Sequence, residues 1–123
     1  MGSRAVLGSG MKQGDVYWFT FKEPDKRRPI LILTRTSAIS FLTGITIAPI
    51  TTTIRAIPSE VVLTTADGLF EECAVNLDNV QTIAKAKLSG FITHLRPEKL
   101  GAVRDALRFA FAIDSLGGEF PVL

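Results

Sequence analysis

At 123 residues, 46% of them hydrophobic, and with a formal net charge of +2, the chain fits a single domain able to bury its own core, which excludes a disordered polyelectrolyte. No apolar run approaches the roughly 20 residues that a membrane helix needs, so no membrane association is expected. The lone cysteine, Cys73, excludes an internal disulfide and a cysteine-based zinc site and points to a cytoplasmic protein.

Residues 1–10 lack an apolar signal-type stretch and read as a leader, with Met11 as the natural start; 117–123 read as a tail, leaving 11–116 as one domain. Gly14-Asp15 is a turn signal before Val16-Tyr17-Trp18-Phe19-Thr20-Phe21, whose aromatic and β-branched residues predict a strand. A polar connection, Lys22-Glu23-Pro24-Asp25-Lys26, leads to a second strand from Arg28 to Thr34. Arg35 to Gly44 is expected to be a loop with a helical turn, and Ile45-Thr46-Ile47-Ala48 resumes a strand with alternating apolar and polar residues. Val61-Val62-Leu63-Thr64 is another strand, followed by a turn at Ala66-Asp67-Gly68-Leu69. Cys73 to Ile83 contains a further β segment, with Ala74, Asn76 and Asp78 on one face and Val75, Leu77 and Asn79 on the other; Gly90 to Leu95 is the last strand.

The period then changes. Pro97 opens a helix in which Leu100, Val103, Leu107, Ala110 and Phe111 recur three and four residues apart as one apolar stripe, and Gly117-Gly118 is expected to end it. Phe109 and Phe111 are read as packing this helix. Short strands followed by one amphipathic helix imply a mainly β, α+β fold: a small, strongly curved antiparallel barrel or sheet with a packed terminal helix.

Charge is unevenly spread. From Val16 to Pro58 the bases Lys22, Lys26, Arg27, Arg28, Arg35 and Arg55 face only Glu23 and Asp25, whereas Ser59 to Val80 holds Glu60, Asp67, Glu71, Glu72 and Asp78 and no base. The first section can present a positive surface to a polyanion. Within it, Arg28 enters the second strand just before Pro29, and Thr51 closes Ala48-Pro49-Ile50-Thr51, where the proline is expected to stop regular pairing. A permanent guanidinium beside a hydroxyl on neighbouring strand ends suits a phosphate.

In order along the chain, Gly14-Asp15-Val16-Tyr17-Trp18, Arg28-Pro29-Ile30-Leu31-Ile32, Ala48-Pro49-Ile50-Thr51, Asp78-Asn79-Val80-Gln81-Thr82-Ile83 and Leu95-Arg96-Pro97-Glu98-Lys99-Leu100 resemble the MazF/PemK (Kid) family of toxin endoribonucleases. The resemblance runs from Met11 to about Leu116. It implies a small SH3-like barrel of the MazF/Kid/CcdB type, sequence-selective cleavage of single-stranded RNA without a metal or other cofactor, a homodimer, and inhibition by a cognate MazE-like antitoxin. It places the catalytic arginine at Arg28 and the catalytic hydroxyl at Thr51, with Thr52 and Thr53 adjacent. Lys26, Arg27, Thr52, Thr53, Asp78, Asn79 and Gln81 are the expected RNA-contacting residues. Two departures stand out: the connection from Lys22 to Arg27 is short and has no glycine, and Gln81 stands where relatives often have a base.

Further expectations concern single residues. Cys73 is read as a plain strand cysteine. His94, the only histidine, is read as structural rather than as a general base. Of Tyr17 and Trp18, which alternate along one strand, Trp18 is assigned to the core and the other ring to base stacking. A competing class is a non-catalytic poison of a topoisomerase, as in CcdB proteins; that action relies on a tryptophan near the C-terminus, and the only one here is Trp18. An RNA-binding barrel without catalysis is the third possibility.

Overall fold

The structure, a computed structural model, describes residues 10–22 and 26–118. The expected leader, except Gly10, and all of the expected tail but 117–118 lie outside those residues, as do Glu23, Pro24 and Asp25 of the first connection.

In chain order the elements are β1 (Asp15–Thr20), β2 (Arg27–Ile32), the short α1 (Thr36–Ile39), β3 (Gly44–Thr51), β4 (Glu60–Leu63), β5 (Cys73–Asn76), β6 (Gln81–Ala84), β7 (Leu88–His94) and α2 (Pro97–Phe111). All strand pairs are antiparallel, along the path β4-β5-β3-β2-β1-β7, and β6 also pairs with β3. The mainly β, α+β fold stands, with the sheet open: β4 and β7 are its two ends and do not pair with each other.

β2 explains why the sheet can be packed on both sides. Its run Ile30-Leu31-Ile32 is wholly buried, with side chains alternating between two cores. On one side Leu31 joins Val16, Ile50, Val75, Leu77 and Leu95, and the helix α2 caps this core through Val103 and Ala106. On the other, Ile30 and Ile32 join Tyr17, Phe19, Ile39, Ile45, Ile47 and Ile83. Each such aliphatic side chain contributes about 1.5–3 kcal/mol when withdrawn from water.

Several expectations are corrected. The β segment from Cys73 to Ile83 is two strands separated by a 3-10 turn at Leu77–Asn79. The cause is local: Asn76 Oδ1 accepts the N–H of Asp78 at 2.9 Å, diverting the backbone from the extended path. β5 pairs with β3 at Ile50 and Thr51, and β6 pairs with it from Gly44 to Ile47, so this side of the ladder lapses across Ala48-Pro49 while β3 itself runs on to Thr51. Proline thus interrupts one flank without ending the strand. The helix stops at Phe111 rather than at Gly117-Gly118, because Ala112 takes a left-handed conformation (φ 50°). Phe109 and Phe111 are 60% and 49% exposed, so neither packs the helix as expected.

Candidate active site

β2 begins where β3 ends, and their antiparallel register places the key pair. Ile30 stands opposite Pro49 and Leu31 opposite Ala48. The β2–β3 pairing ends at Ile30 and Pro49; the same register carried two residues further brings Arg28 and Thr51 to the same face of the two strand ends. β1 flanks the other side, with Phe19 opposite Arg28 and Trp18 opposite Pro29.

Arg28 and Thr51 lie where two adjoining concavities meet, both side chains lining each. The first, of about 340 Å³, is walled by Trp18, Arg27, Phe70 and Glu71 and also touches Thr52. The second, of about 390 Å³, is walled by Phe21, Thr53, Arg55, Asn76, Asn79 and Gln81. Arg28 is half-buried, and among the described residues no carboxylate pairs with its guanidinium. Thr51 Oγ1 accepts the N–H of Thr53 at 3.1 Å, which holds the oxygen in place and leaves its own O–H to donate into the cleft. Of the three adjacent threonines only Thr51 reaches both concavities.

The other residues named from sequence are divided. Asn79 and Gln81 line the second concavity, and Gln81 Nε2 donates to the Asn79 carbonyl at 3.3 Å. The Arg27 guanidinium lies 4.2 Å from the centre of the Trp18 ring, a cation–π contact at the rim of the first. Lys26 lines neither; its carbonyl accepts the N–H of Phe21 at 3.0 Å, closing the β1–β2 hairpin. Asp78 lines neither as well: its Oδ2 accepts from Ser59 Oγ at 2.6 Å, bracing the turn between β5 and β6 against the start of β4.

Two aromatic assignments are reversed. Tyr17 is buried and packs edge-on against Phe91, while Trp18 is half-exposed and stacks on Phe70, with ring centres 5.5 Å apart and planes 18° apart. The residues that sequence reading missed as site components are Phe21, Phe70, Glu71 and Asn76, with Arg55 seen only as part of the basic section. Nothing in sequence spacing brings Phe70 near Trp18; the contact exists because the segment between β4 and β5 folds back over β1.

His94 Nδ1 is 2.8 Å from Asp15 Oδ1, at the far end of β1. Asp15 and Phe19 are four residues apart on that strand, so His94, on the opposite flank of β1, is displaced about 14 Å along the strand from the Arg28 position and two strand spacings across it. Cys73 is buried on β5, and its thiol is pushed up to about 11, first by burial and then by the charges of Glu71, Asp67 and Glu72. Among the described residues no group of three His, Cys, Asp or Glu side chains is placed to hold a metal ion.

The chain and its fold are similar to those of known proteins. Residues 12–111 match the family described as PemK-like, MazF-like toxin of type II toxin-antitoxin system. The Mycobacterium tuberculosis endoribonuclease MazF3 is 41% identical over 90 residues, covering 73% of this chain and 87% of the relative. The solved M. tuberculosis toxin MazF-mt6 superposes with a TM-score of 0.74 at 37% identity, covering 80% of this chain and 96% of that one. An endoribonuclease in complex with its cognate antitoxin, from a mycobacterial species, gives a TM-score of 0.74 at 26% identity over 90% of this chain and 99% of its own.

Proposed function

The chain belongs to the PemK/MazF family of type II toxin–antitoxin toxins, whose relatives are endoribonucleases, and we propose that it cuts single-stranded RNA without a metal, using Arg28 and Thr51. The observation that carries this reading is the meeting of those two side chains at the junction of two concavities, each with basic and aromatic groups in its wall and the second with amide groups as well. A strand of RNA laid across the junction would put one phosphate at the pair and its flanking nucleotides in the two concavities.

RNA carries its own nucleophile. The 2′-hydroxyl oxygen attacks the adjacent phosphorus, a P–O2′ bond forms and the P–O5′ bond breaks; O2′ gives up one proton to solvent water and O5′ takes one from it, so the products are a 2′,3′-cyclic phosphate and a free 5′-hydroxyl with no net change in protons. Arg28 donates paired N–H groups to the non-bridging oxygens, whose charge grows as the phosphorane forms. A preorganised donor of this kind contributes about 2.7–4 kcal/mol. Thr51 donates its O–H to the phosphate or orients the 2′-hydroxyl, and holding the reacting atoms in line supplies several kcal/mol more. Arginine stays protonated, so Arg28 is the charge stabiliser and a hydrogen-bond donor and not the acceptor of the 2′-hydroxyl proton. The distance to His94 argues against that residue as the acceptor.

A topoisomerase poison is not favoured: the only tryptophan lies on β1 beside the concavity, not near the C-terminus. The cytoplasm is the expected compartment; among the described residues no helix is long and apolar enough to cross a membrane. A cognate MazE-like antitoxin and a second copy of this chain are the proposed partners, the first supported by the relative solved with its antitoxin.

The test is incubation with single-stranded RNA in EDTA. The wild-type chain is expected to cleave, leaving 5′-hydroxyl ends, and Arg28→Ala to bind without cleaving. Binding without cleavage by the wild type would make it a non-catalytic binder instead.

A further inference from the structure

Phe70 is 67% exposed, yet it is not an isolated surface ring. One of its contacts is the stacked Trp18, and Trp18 in turn carries the Arg27 guanidinium at 4.2 Å. The three groups form a braced stack at the edge of the concavity that holds Arg28 and Thr51. A ring this exposed costs free energy in water unless something covers it, and the stack beneath it limits its motion. The nearby Arg27 and Arg28 select for a polyanion, so an unpaired nucleotide base is the occupant that matches both the π-surface and the charge. Glu71 is the only carboxylate lining this concavity among the described residues. A carboxylate only accepts, and it repels phosphate. A base with two adjacent N–H donors on its Watson–Crick edge, as in guanine, would satisfy both its oxygens.

Resting on the reading of the chain as a ribonuclease, we propose that Phe70, braced by Trp18, is the stacking platform for one base beside the scissile phosphate, and that Glu71 reads that base in favour of guanine. Trp18 is the sole tryptophan, so its fluorescence reports on this stack directly. Short single-stranded oligonucleotides, alike except for one varied base, are titrated into the non-cleaving Arg28→Ala protein. Binding is expected to quench Trp18 emission. Adding Phe70→Ala is expected to weaken binding about tenfold, Phe70→Tyr to retain it. Adding Glu71→Gln is expected to reduce the preference for guanine over uracil at one position. Unchanged affinity in Phe70→Ala overturns the platform, and unchanged base preference in Glu71→Gln overturns the reading by Glu71. Loss of antitoxin binding alone in Phe70→Ala would make the ring a protein contact and also overturn the inference. Cleavage of RNA by the wild type is scored separately: if it occurs while these variants behave like their parent, the ribonuclease stands and the subsite falls.

Discussion

Arg28→Lys is the sharpest single-residue test of the proposed chemistry. It keeps a positive charge at the junction but replaces a planar, two-pronged donor by a point charge. A fall in kcat of about 100-fold or more is expected, with the far-ultraviolet circular dichroism unchanged. Retention of wild-type kcat would mean that charge alone suffices. Thr51→Ser keeps a hydroxyl where the Thr53 N–H can hold it and should stay active, whereas Thr51→Val should not. Cys73 tests burial instead. With its thiol pushed up to about 11, roughly a thousandth is thiolate at pH 8. Labelling by a thiol reagent at that pH is therefore expected to be at least 100-fold slower in the native chain than in urea, and to speed up as pH rises. That Arg28 and Thr51 border the same concavities was legible in sequence because each lies at a strand end, and a strand register then leaves little freedom. Tyr17 and Trp18 were not, because alternation says that they face opposite ways without saying which way is inward. The answer depended on Phe70, some 50 residues away in the chain.

Between β4 and β5 the backbone turns at Gly68, where φ is +98° and a Cβ would collide with the Thr93 side chain on β7. Gly68→Ala therefore combines backbone strain with a clash against a packed strand, and should lower stability by more than about 1 kcal/mol, a shift of at least about 4 °C in the melting temperature. The residue before it anchors the helix. Asp67 accepts from Arg96 at 2.8 Å and from the Thr64 N–H at 2.9 Å, with Lys99 3.6 Å away, tying this turn to the start of α2. Burial alone would raise the Asp67 carboxyl, but the Arg96 and Thr64 bonds and the charges of Lys99 and Arg96 outweigh it and leave the group below its ordinary value. A lowered folded value means that the unfolded chain binds the proton first. The stability this clamp adds is thus complete above the ordinary carboxylate range and is lost as pH falls below about 4 through the lowered folded value. Asp67→Asn should melt lower at pH 7 and show a smaller further loss between pH 5 and pH 3 than the wild type. A parallel loss in both would place the acid sensitivity elsewhere. Here the sequence signalled a turn and a helix start but could not join them, since the bond spans 29 residues. The break at Leu77–Asn79 was equally hidden, because a side-chain bond by Asn76 overrode an alternating pattern that by itself fits one strand.

A net charge of +2 is a poor guide to how the whole molecule meets a polyanion. Three acids of the section from Ser59 to Val80 are engaged within the protein: buried Asp67 is bonded to Arg96, Asp78 accepts from Ser59, and Glu60 accepts the Arg55 N–H at 2.9 Å, while Glu72 is exposed away from the cleft. Of its acids only Glu71 borders the concavities, while Arg27, Arg28 and Arg55 all do. Elsewhere Arg108 is engaged with Asp114 at 2.8 Å on the far end of α2. Folding thus converts a nearly balanced sequence into a locally positive cleft. RNA binding should follow that local charge. For a single strand the logarithm of the association constant falls with the logarithm of salt by about 0.7 per phosphate neutralised, so contacts from these three arginines give a slope near about −2. Measured by fluorescence anisotropy between 50 and 300 mM salt, Arg55→Ala should flatten the slope by about 0.7, and Arg108→Ala should leave it unchanged. Equal flattening by both would mean that the strand is held by the diffuse field of the whole surface and not by the cleft.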